Sequence, residues 1–315
     1  MNAVLGIDTS CYTTSCALVD ENLALIHETR KLLPVPQGDR GLRQSEAVFV
    51  HIRQLPALLQ DLMSQHPHSI AAVCVSAQPV DGEDSYMPVF QAGLSMAQGI
   101  ASAMHVPLYR TTHQRGHLAA ARIGQPSKPE DRYVGLHLSG GTTDLLRVEG
   151  ERLELLGSSL DLHAGQLIDR VGVRLGLQFP AGPHLEKLAM QGIPRGRYAA
   201  VVRDGTCHLS GIEAAAMRDI AQGTLNPEDI AAEVFDAVAR SVFKMLDWAV
   251  QHTGMTDALL FGGVASSQLL RSALHQRVAD RRAKLKLHFG APALSGDNAA
   301  GVAMIGAQRH FAKRQ

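Results

Sequence analysis

Apolar and polar positions along the chain fall into a plan that occurs twice. Residues 4–19 read LGIDTSCYTTSCALVD: an apolar strand, a small polar turn, then a second apolar strand. Residues 134–148, VGLHLSGGTTDLLRV, repeat it. Runs that are apolar at nearly every position, broken by Ser, Thr, Gly and Asp, predict buried strands joined by a tight turn. Each half of the chain therefore opens on a β-hairpin. Between the halves, GQPSKPEDR at 124–132 is polar, and Pro126 and Pro129 block a continuous helix, so a linker is placed there. This gives subdomains at 1–130 and 131–315, with the last helix allowed to pack back on the first.

The remaining pattern alternates. Helical spacing predicts helices over 46–65, where Pro56 must kink or divide the helix, and over 89–104, 113–123, 164–176, 183–191, 226–252, 265–280 and 298–313. Strands are predicted over 71–77, through VPLYR at 106–110, and over 257–262 and 284–288. Strands alternating with helices imply an α/β fold with mainly parallel strands and antiparallel hairpins at the start of each half. Two halves that open on ligand-sized loops place a site in the cleft between them.

Composition narrows the class. With 315 residues, 45% apolar and 19% charged, the chain has material for about two packed domains and no case for disorder. Lys+Arg and Asp+Glu are both 30, which excludes gripping nucleic acid by bulk charge alone. A local patch remains open. The run Arg277, Arg281, Arg282, Lys284 and Lys286 could meet RNA phosphates, and a solvated helix end with an edge strand explains it equally well. MNAVLGIDTS lacks the basic start of a signal peptide, and no apolar stretch approaches the ~20 residues that cross a bilayer. Cys11, Cys16, Cys74 and Cys207 form no CxxC pair. The expectation is a cytoplasmic protein with no membrane contact.

Candidate chemistry lies in the loops. Ser139-Gly140-Gly141-Thr142-Thr143 can turn N–H groups toward an anion, and Asp8-Thr9-Ser10 can serve the same ligand, with Asp8 ordering a hydrated Mg2+ beside phosphates. Either loop alone reads more readily as an ordinary hairpin turn; two, one per half, favour a nucleotide or acyl phosphate. Phe261-Gly262-Gly263-Val264, before a predicted helix, adds a strand–turn–helix anion site. His113 and His117 are spaced i, i+4, within reach of one metal, although 15 histidines give on the order of one such pair by chance. Gln114 replaces the Glu of the zinc-peptidase HExxH motif, so a peptidase is a poor reading. The Asp297-Asn298 pair is a candidate oxygen donor. Asp169 could accept from ribose hydroxyls and Gly182 could allow a ligand close; Asp161 and Asp169 also read as ordinary cap and loop residues.

In order along the chain, these segments resemble the TsaD family (also called Gcp or YgjD), the tRNA N6-adenosine threonylcarbamoyltransferases of the ASKHA actin/sugar-kinase-like fold. GIDTSCYTTSCALVD is similar to the family's GIETSCDDTS-type opening, THQRGH to its HxxGH metal motif, and LHLSGGTTDLL to its VSGGHT loop. DLHAGQLIDRVGVRLGLQFPAGP, CHLSGIEAA, FGGVASSQLLR and GDNAA match further elements in order. The resemblance implies two similar ASKHA subdomains with a cleft, and one divalent metal, Fe2+ or Zn2+, on His113, His117 and Asp297. It implies that His137, Leu138, Ser139, Gly140 and Gly141, with Asp169, Gly182 and Ser267, contact an adenylate: ATP, AMP or threonylcarbamoyl-AMP. Asp8, His113 and His117 form the catalytic set of this reading. The implied reaction moves a threonylcarbamoyl group to N6 of adenine 37 of tRNA. A TsaB-like partner and a TsaE-like ATPase are implied partners, and a homodimer is a further assembly.

Departures from the pattern mark a divergent paralogue. Tyr12-Thr13 stands where the family has an acidic pair, Thr142 where it has His, and Ser267 where it has Asn. The first removes negative charge and the others remove hydrogen-bonding groups. Competing readings are carbamoyl transfer to another acceptor, a non-catalytic nucleotide- and metal-binding partner of the standard enzyme, and a small-molecule kinase. The kinase has no need of a His/His/Asp site.

Overall fold

The computed structural model describes residues 2–10, 12–35, 42–125 and 129–311. By its internal contacts the chain divides into residues 1–125 with 291–315, and residues 126–290. The sequence predicts a boundary at 130/131 and allows the last helix to pack on the first subdomain. Pro126 of the expected linker, Cys11 and the end of the helix expected to reach 313 lie outside the described residues.

The first unit is built on a sheet of β1 (Asn2–Asp8), β2 (Thr13–Asp20), β3 (Leu25–Leu32), β4 (Ser69–Gln78) and β5 (Leu108–Thr112), in the order β3-β2-β1-β4-β5. β1 pairs antiparallel with β2, and β2 with β3; β1–β4 and β4–β5 are parallel. Successive residues of a strand face opposite sides, and here both sides are covered. Ala3, Leu5 and Ile7 join Leu55, Leu58 and Leu62 of α1 (Gln44–Gln65) and Ala97 and Ala101 of α2 (Phe90–Met104). Val4, Ala72 and Cys74 join Ala299, Val302 and Ala303 around α9 (Ala300–Phe311) on the other face. Burial on both sides is why these strands read as unbroken apolar runs.

Pro56 does not divide α1, which continues through it. A proline removes one intrahelical hydrogen bond, and the buried stripe Leu55, Leu58 and Leu62 holds both halves on the same sheet face.

In the second unit, β6 (Arg132–Leu138), β7 (Thr143–Glu149), β8 (Arg152–Ser158), β11 (Asp257–Phe261) and β12 (Lys286–Phe289) take the order β12-β11-β6-β7-β8. The pairing senses repeat those of the first sheet, with β6 in the place of β1. The expectation of mainly parallel strands is thus corrected: each sheet joins two parallel to two antiparallel pairings, because a third strand follows each opening hairpin. The core of this unit packs Val134, Leu136 and Leu260 with Leu167, Val171, Val234, Val238 and Met245. These come from α4 (Ala164–Arg174) and α7 (Pro227–Thr253), beside α5 (Gly182–Ala189), α6 (Ser210–Gln222) and α8 (Gln268–Asp280). The 27 residues of α7 begin where Asn226 accepts from the Asp229 N–H at 2.7 Å and Pro227 follows, and end at left-handed Gly254. The hairpin β9 (Val201–Arg203) and β10 (Thr206–His208) completes the unit. Neither it nor α6 was expected.

Candidate functional site

α3 (His113–Ala120) follows β5 without a loop, and Thr112 caps it by accepting the Arg115 N–H at 3.3 Å. One helical turn places His113 and His117 on the same face. The third group arrives from far along the chain. Asp297 lies just before α9, where Asn298 donates to Leu294 O (2.9 Å) and Gly296 O (2.8 Å) and accepts the Ala300 N–H at 3.0 Å. Asn298 is thus a structural cap, and Asp297 is the residue it presents. Helices α3 and α9 meet at glycine: a Cβ on Gly301 would collide with Gly116 O and lie 2.6 Å from Ala120 N.

The geometry converges on one point. His117 Nε2 lies 3.2 Å and His113 Nε2 3.4 Å from the same oxygen, Asp297 Oδ1, and the two nitrogens are 3.0 Å apart. All three donor atoms lie within 4.8 Å of one another. Two nitrogens bound tetrahedrally to one ion, each at about 2.1 Å, sit about 3.4 Å apart. The donors present are therefore of the right kind and almost at the right spacing to hold a divalent ion. Asp8, at the end of β1, is fully buried and faces His113 Nδ1 at 3.2 Å, with Ser10 and Ser76 hydroxyls on its two oxygens. It has no surface open to solvent on which to order a hydrated Mg2+.

Charge follows the same logic. Burial alone lowers the basicity of His113, but the carboxylates of Asp8 and Asp297 outweigh it and push the ring up to about 10. Burial and the positive charge on His113 hold His117 below its ordinary value. Burial raises Asp297 and Asp8, and their histidine contacts, with the Ser10 and Ser76 hydroxyls at Asp8, carry both well below the usual carboxylate range. A pocket that stabilises positive charge this strongly favours a cation, which displaces the proton when it binds.

Two features of this site escaped the sequence reading. Arg115, between the two histidines, grips Asp81 with Nε at 2.9 and 3.1 Å and Nη2 at 2.6 Å, clipping the loop after β4 to α3. Ser76, a lone polar residue in the run AAVCVSA, reaches Asp8. A hydroxyl at the end of an apolar strand was the available signal.

In the second unit, His137 and Leu138 are buried at the end of β6, with His137 stacked on Phe261 at 4.9 Å. Ser139–Thr142 closes as a turn through Ser139 N–H to Thr142 O at 2.9 Å, leaving Gly140 and Gly141 exposed. The first turn of α4 sits against it: Gly165 N–H donates to Ser139 O at 3.0 Å, and a Cβ on Gly165 would lie 2.7 Å from Gly140 N. Asp169 accepts the Ala181 N–H at 2.7 Å, which places it beside Gly182 at the start of α5. Burial raises its pKa more than the Ala181 and Gly182 N–H groups lower it. The neighbourhood of Gly182 is open, with only Ile168 Cγ2 within reach of an added Cβ, at 3.8 Å.

The anion site expected after β11 is corrected. Residues Gly263–Ser266 form a 3-10 turn, and the N-terminus of α8 already holds the chain's own carboxylate. Glu186 Oε1 accepts from Leu269 N–H and from Ser267 Oγ, both at 2.8 Å, while Ser267 Oγ caps Leu270 N–H at 3.1 Å. Gly262 serves packing instead, since a Cβ there would lie 2.5 Å from Leu138 O. Of the basic run, Arg277 is paired with Asp236 and Lys286 lies 3.7 Å from Asp257; Arg281, Arg282 and Lys284 are exposed.

Asp161 is a structural hub. It accepts from the N–H groups of Leu162 (2.7 Å), Leu209 (2.8 Å) and Ser210 (3.3 Å) and from Ser210 Oγ at 2.6 Å. Burial raises its pKa, but these donors outweigh that and lower it. A carboxylate lowered on folding stabilises above its unfolded value near 3.9, and that contribution is lost as pH falls below it. Asp161→Asn should therefore be less stable than wild type in urea at pH 6, with the gap closing toward pH 3. A gap independent of pH would contradict this.

The five-stranded sheet that occurs twice, each time a three-strand meander joined to two parallel strands, is an ASKHA-type fold. Solved structures agree. The (R)-2-hydroxyglutaryl-CoA dehydratase component A of Acidaminococcus fermentans superposes with a TM-score of 0.61 at 13% identity, over 98% of this chain and 99% of that one. A ROK family glucokinase from Streptomyces griseus gives 0.55 at 14%, over 96% and 98%. Within that class, the family model described as tRNA N6-adenosine threonylcarbamoyltransferase, TsaD, matches residues 37–304, and the chain belongs to that family. It is 29% identical over 312 residues, 97% of this chain and 87% of the relative, to a tRNA N6-adenosine threonylcarbamoyltransferase of Methanopyrus kandleri. Among the described residues, no helix is long and apolar enough to cross a membrane.

Proposed function

We propose that this chain transfers a threonylcarbamoyl group from threonylcarbamoyl-AMP to N6 of adenine 37 of tRNA, with one Fe2+ or Zn2+ held by His113, His117 and Asp297. The observation that carries the reading is the convergence of those three donors on one point in a chain of this family. Two imidazoles and a carboxylate suit either ion. In the transfer a C–N bond forms between N6 and the carbamoyl carbon, the C–O bond to the phosphate breaks, AMP leaves and N6 loses a proton. N6 of adenine is a weak nucleophile, and a metal at this site supplies a Lewis acid that makes the carbamoyl carbon more electrophilic.

The chain's own groups do the rest. The turn His137, Leu138, Ser139, Gly140 and Gly141 offers backbone to the adenylate, Asp169 presents its second oxygen for ribose hydroxyls, and Gly182 leaves room beside it. Ser267 acts through Glu186 and the start of α8 rather than by a free hydroxyl. A TsaB-like protein and a TsaE-like ATPase are the proposed partners, beside a homodimer, and the cytoplasm the proposed location.

The test incubates purified protein with threonylcarbamoyl-AMP, unmodified tRNA and these partners, and reads the nucleosides by mass spectrometry. Threonylcarbamoyladenosine above a no-enzyme control supports the reading. Its absence, while a standard family member forms it and this protein retains its metal, would move the assignment to another acceptor or to a non-catalytic partner. The changes at Tyr12, Thr13, Thr142 and Ser267 are the physical ground for that alternative.

A further inference from the structure

We propose that Asp8 is a positioning residue for the metal centre: its buried carboxylate holds His113 by Nδ1, so that Nε2 is the nitrogen given to the ion. The inference rests on the reading of His113, His117 and Asp297 as ligands. It departs from the expectation that Asp8 orders a hydrated Mg2+ beside phosphates.

The argument starts from the strands. β1 and β4 are parallel neighbours with Ile7 opposite Val75, so Asp8 and Ser76 come side by side at their carboxyl ends. Asp8 has no exposed surface. Its Oδ1 takes the Ser76 hydroxyl and faces His113 Nδ1 at 3.2 Å; its Oδ2 takes the Ser10 hydroxyl and the Ser10 N–H at 3.4 Å. Each oxygen thus already has partners within the protein, and neither is exposed.

An ionised carboxylate only accepts, so the proton of the facing ring lies on Nδ1. The other nitrogen, Nε2, lies 3.0 Å from His117 Nε2 and 3.4 Å from Asp297 Oδ1, so it is the one whose proton a bound ion would displace and whose lone pair it would take, while Asp8 keeps the proton on Nδ1. Ser10 and Ser76 fix the carboxylate, the carboxylate fixes the ring, and the ring offers one nitrogen. Outer-shell carboxylates of this kind set tautomer and orientation, and their loss lowers metal affinity by about 10–100-fold.

The experiment measures Zn2+ affinity of the full-length chain by chelator competition for wild type, Asp8→Asn and Ser76→Ala. Thermal melting and ring 15N NMR of histidine-labelled, Zn2+-loaded wild type accompany it. The expected result is about 10–100-fold weaker Zn2+ binding by Asp8→Asn, a smaller loss in Ser76→Ala, and a His113 ring protonated at Nδ1 with Nε2 on the metal. A purely structural role for Asp8 would lower the melting temperature and leave the affinity of the folded protein unchanged. Should Asp8→Asn fail to fold, Ser76→Ala decides: weaker binding supports the clamp, and binding equal to wild type overturns it. Metal on His113 Nδ1 overturns it as well. Wild type that takes up no Zn2+ overturns the ligand reading and the clamp together, whereas wild-type binding with unaffected variants overturns the clamp alone.

Discussion

His117→Ala should lose its metal and its transferase activity together while keeping its fold. His117 is 5% exposed and supplies one of three convergent donors. Removing it leaves His113 and Asp297, two donors where a structural or catalytic site of this type uses at least three. The affinity should fall by more than about 100-fold, the upper end of what an outer-shell change costs. Transfer should fall at least as far. Stability should drop by only about 1–3 kcal/mol, the range for truncating a buried side chain whose partners can still pair with each other, as His113 and Asp297 do here. Metal content by elemental analysis, transfer by mass spectrometry and unfolding by urea separate the three effects. Loss of activity with metal retained would place His117 in another role.

Gly301→Ala should damage the fold and the metal site at once. The new Cβ would meet backbone atoms, Gly116 O and Ala120 N, rather than a side chain that can swing away. Helix α9 must then move off α3. Overpacking of this kind costs about 3 kcal/mol or more, against at most about 1 kcal/mol gained from replacing glycine within a helix. The net loss of about 2 kcal/mol or more should lower the melting temperature by at least about 4–8 °C. Gly116 lies between His113 and His117, and Asp297 leads into α9, so the separation also pulls the third donor from the other two, and Zn2+ affinity should fall with it. Gly99→Ala is the control. Gly99 is exposed in α2 with nothing near its added Cβ, and the change should stabilise by several tenths of a kcal/mol. Equal melting temperatures for the two variants would contradict the close approach of α9 to α3.

How much of this could be read from the chain depended on where each signal was stored. β1, β4, β6 and β11 were legible because both of their faces are buried, which makes nearly every position apolar. β3 and β8 are edge strands, LIHETRKL and RLELLGS, and their charged, half-exposed residues protect an edge but erase the strand pattern. Missing them turned a meander into a hairpin and made the sheets look mainly parallel. His113 and His117 showed themselves by spacing alone. Asp297, 180 residues from His117, could be named as a candidate oxygen donor, but only the family resemblance joined it to the two histidines. No local pattern reports that Asp8 touches His113, 105 residues on, because that contact exists only once β1 and β4 are paired and β5 leads into α3. Likewise, the turn after β11 looked like an anion site because nothing in its own sequence reveals Glu186 already seated at the start of α8.

The central claim is that a metal on His113, His117 and Asp297 supports threonylcarbamoyl transfer to tRNA. Its most direct test strips the purified protein with a chelator, confirms by elemental analysis that the metal is gone, and follows labelled threonylcarbamoyl transfer from threonylcarbamoyl-AMP to tRNA before and after Fe2+ or Zn2+ is returned. The account predicts transfer that disappears with the metal, returns with it in wild type and fails to return in Asp297→Ala. Transfer that continues at full rate in the stripped protein would contradict it.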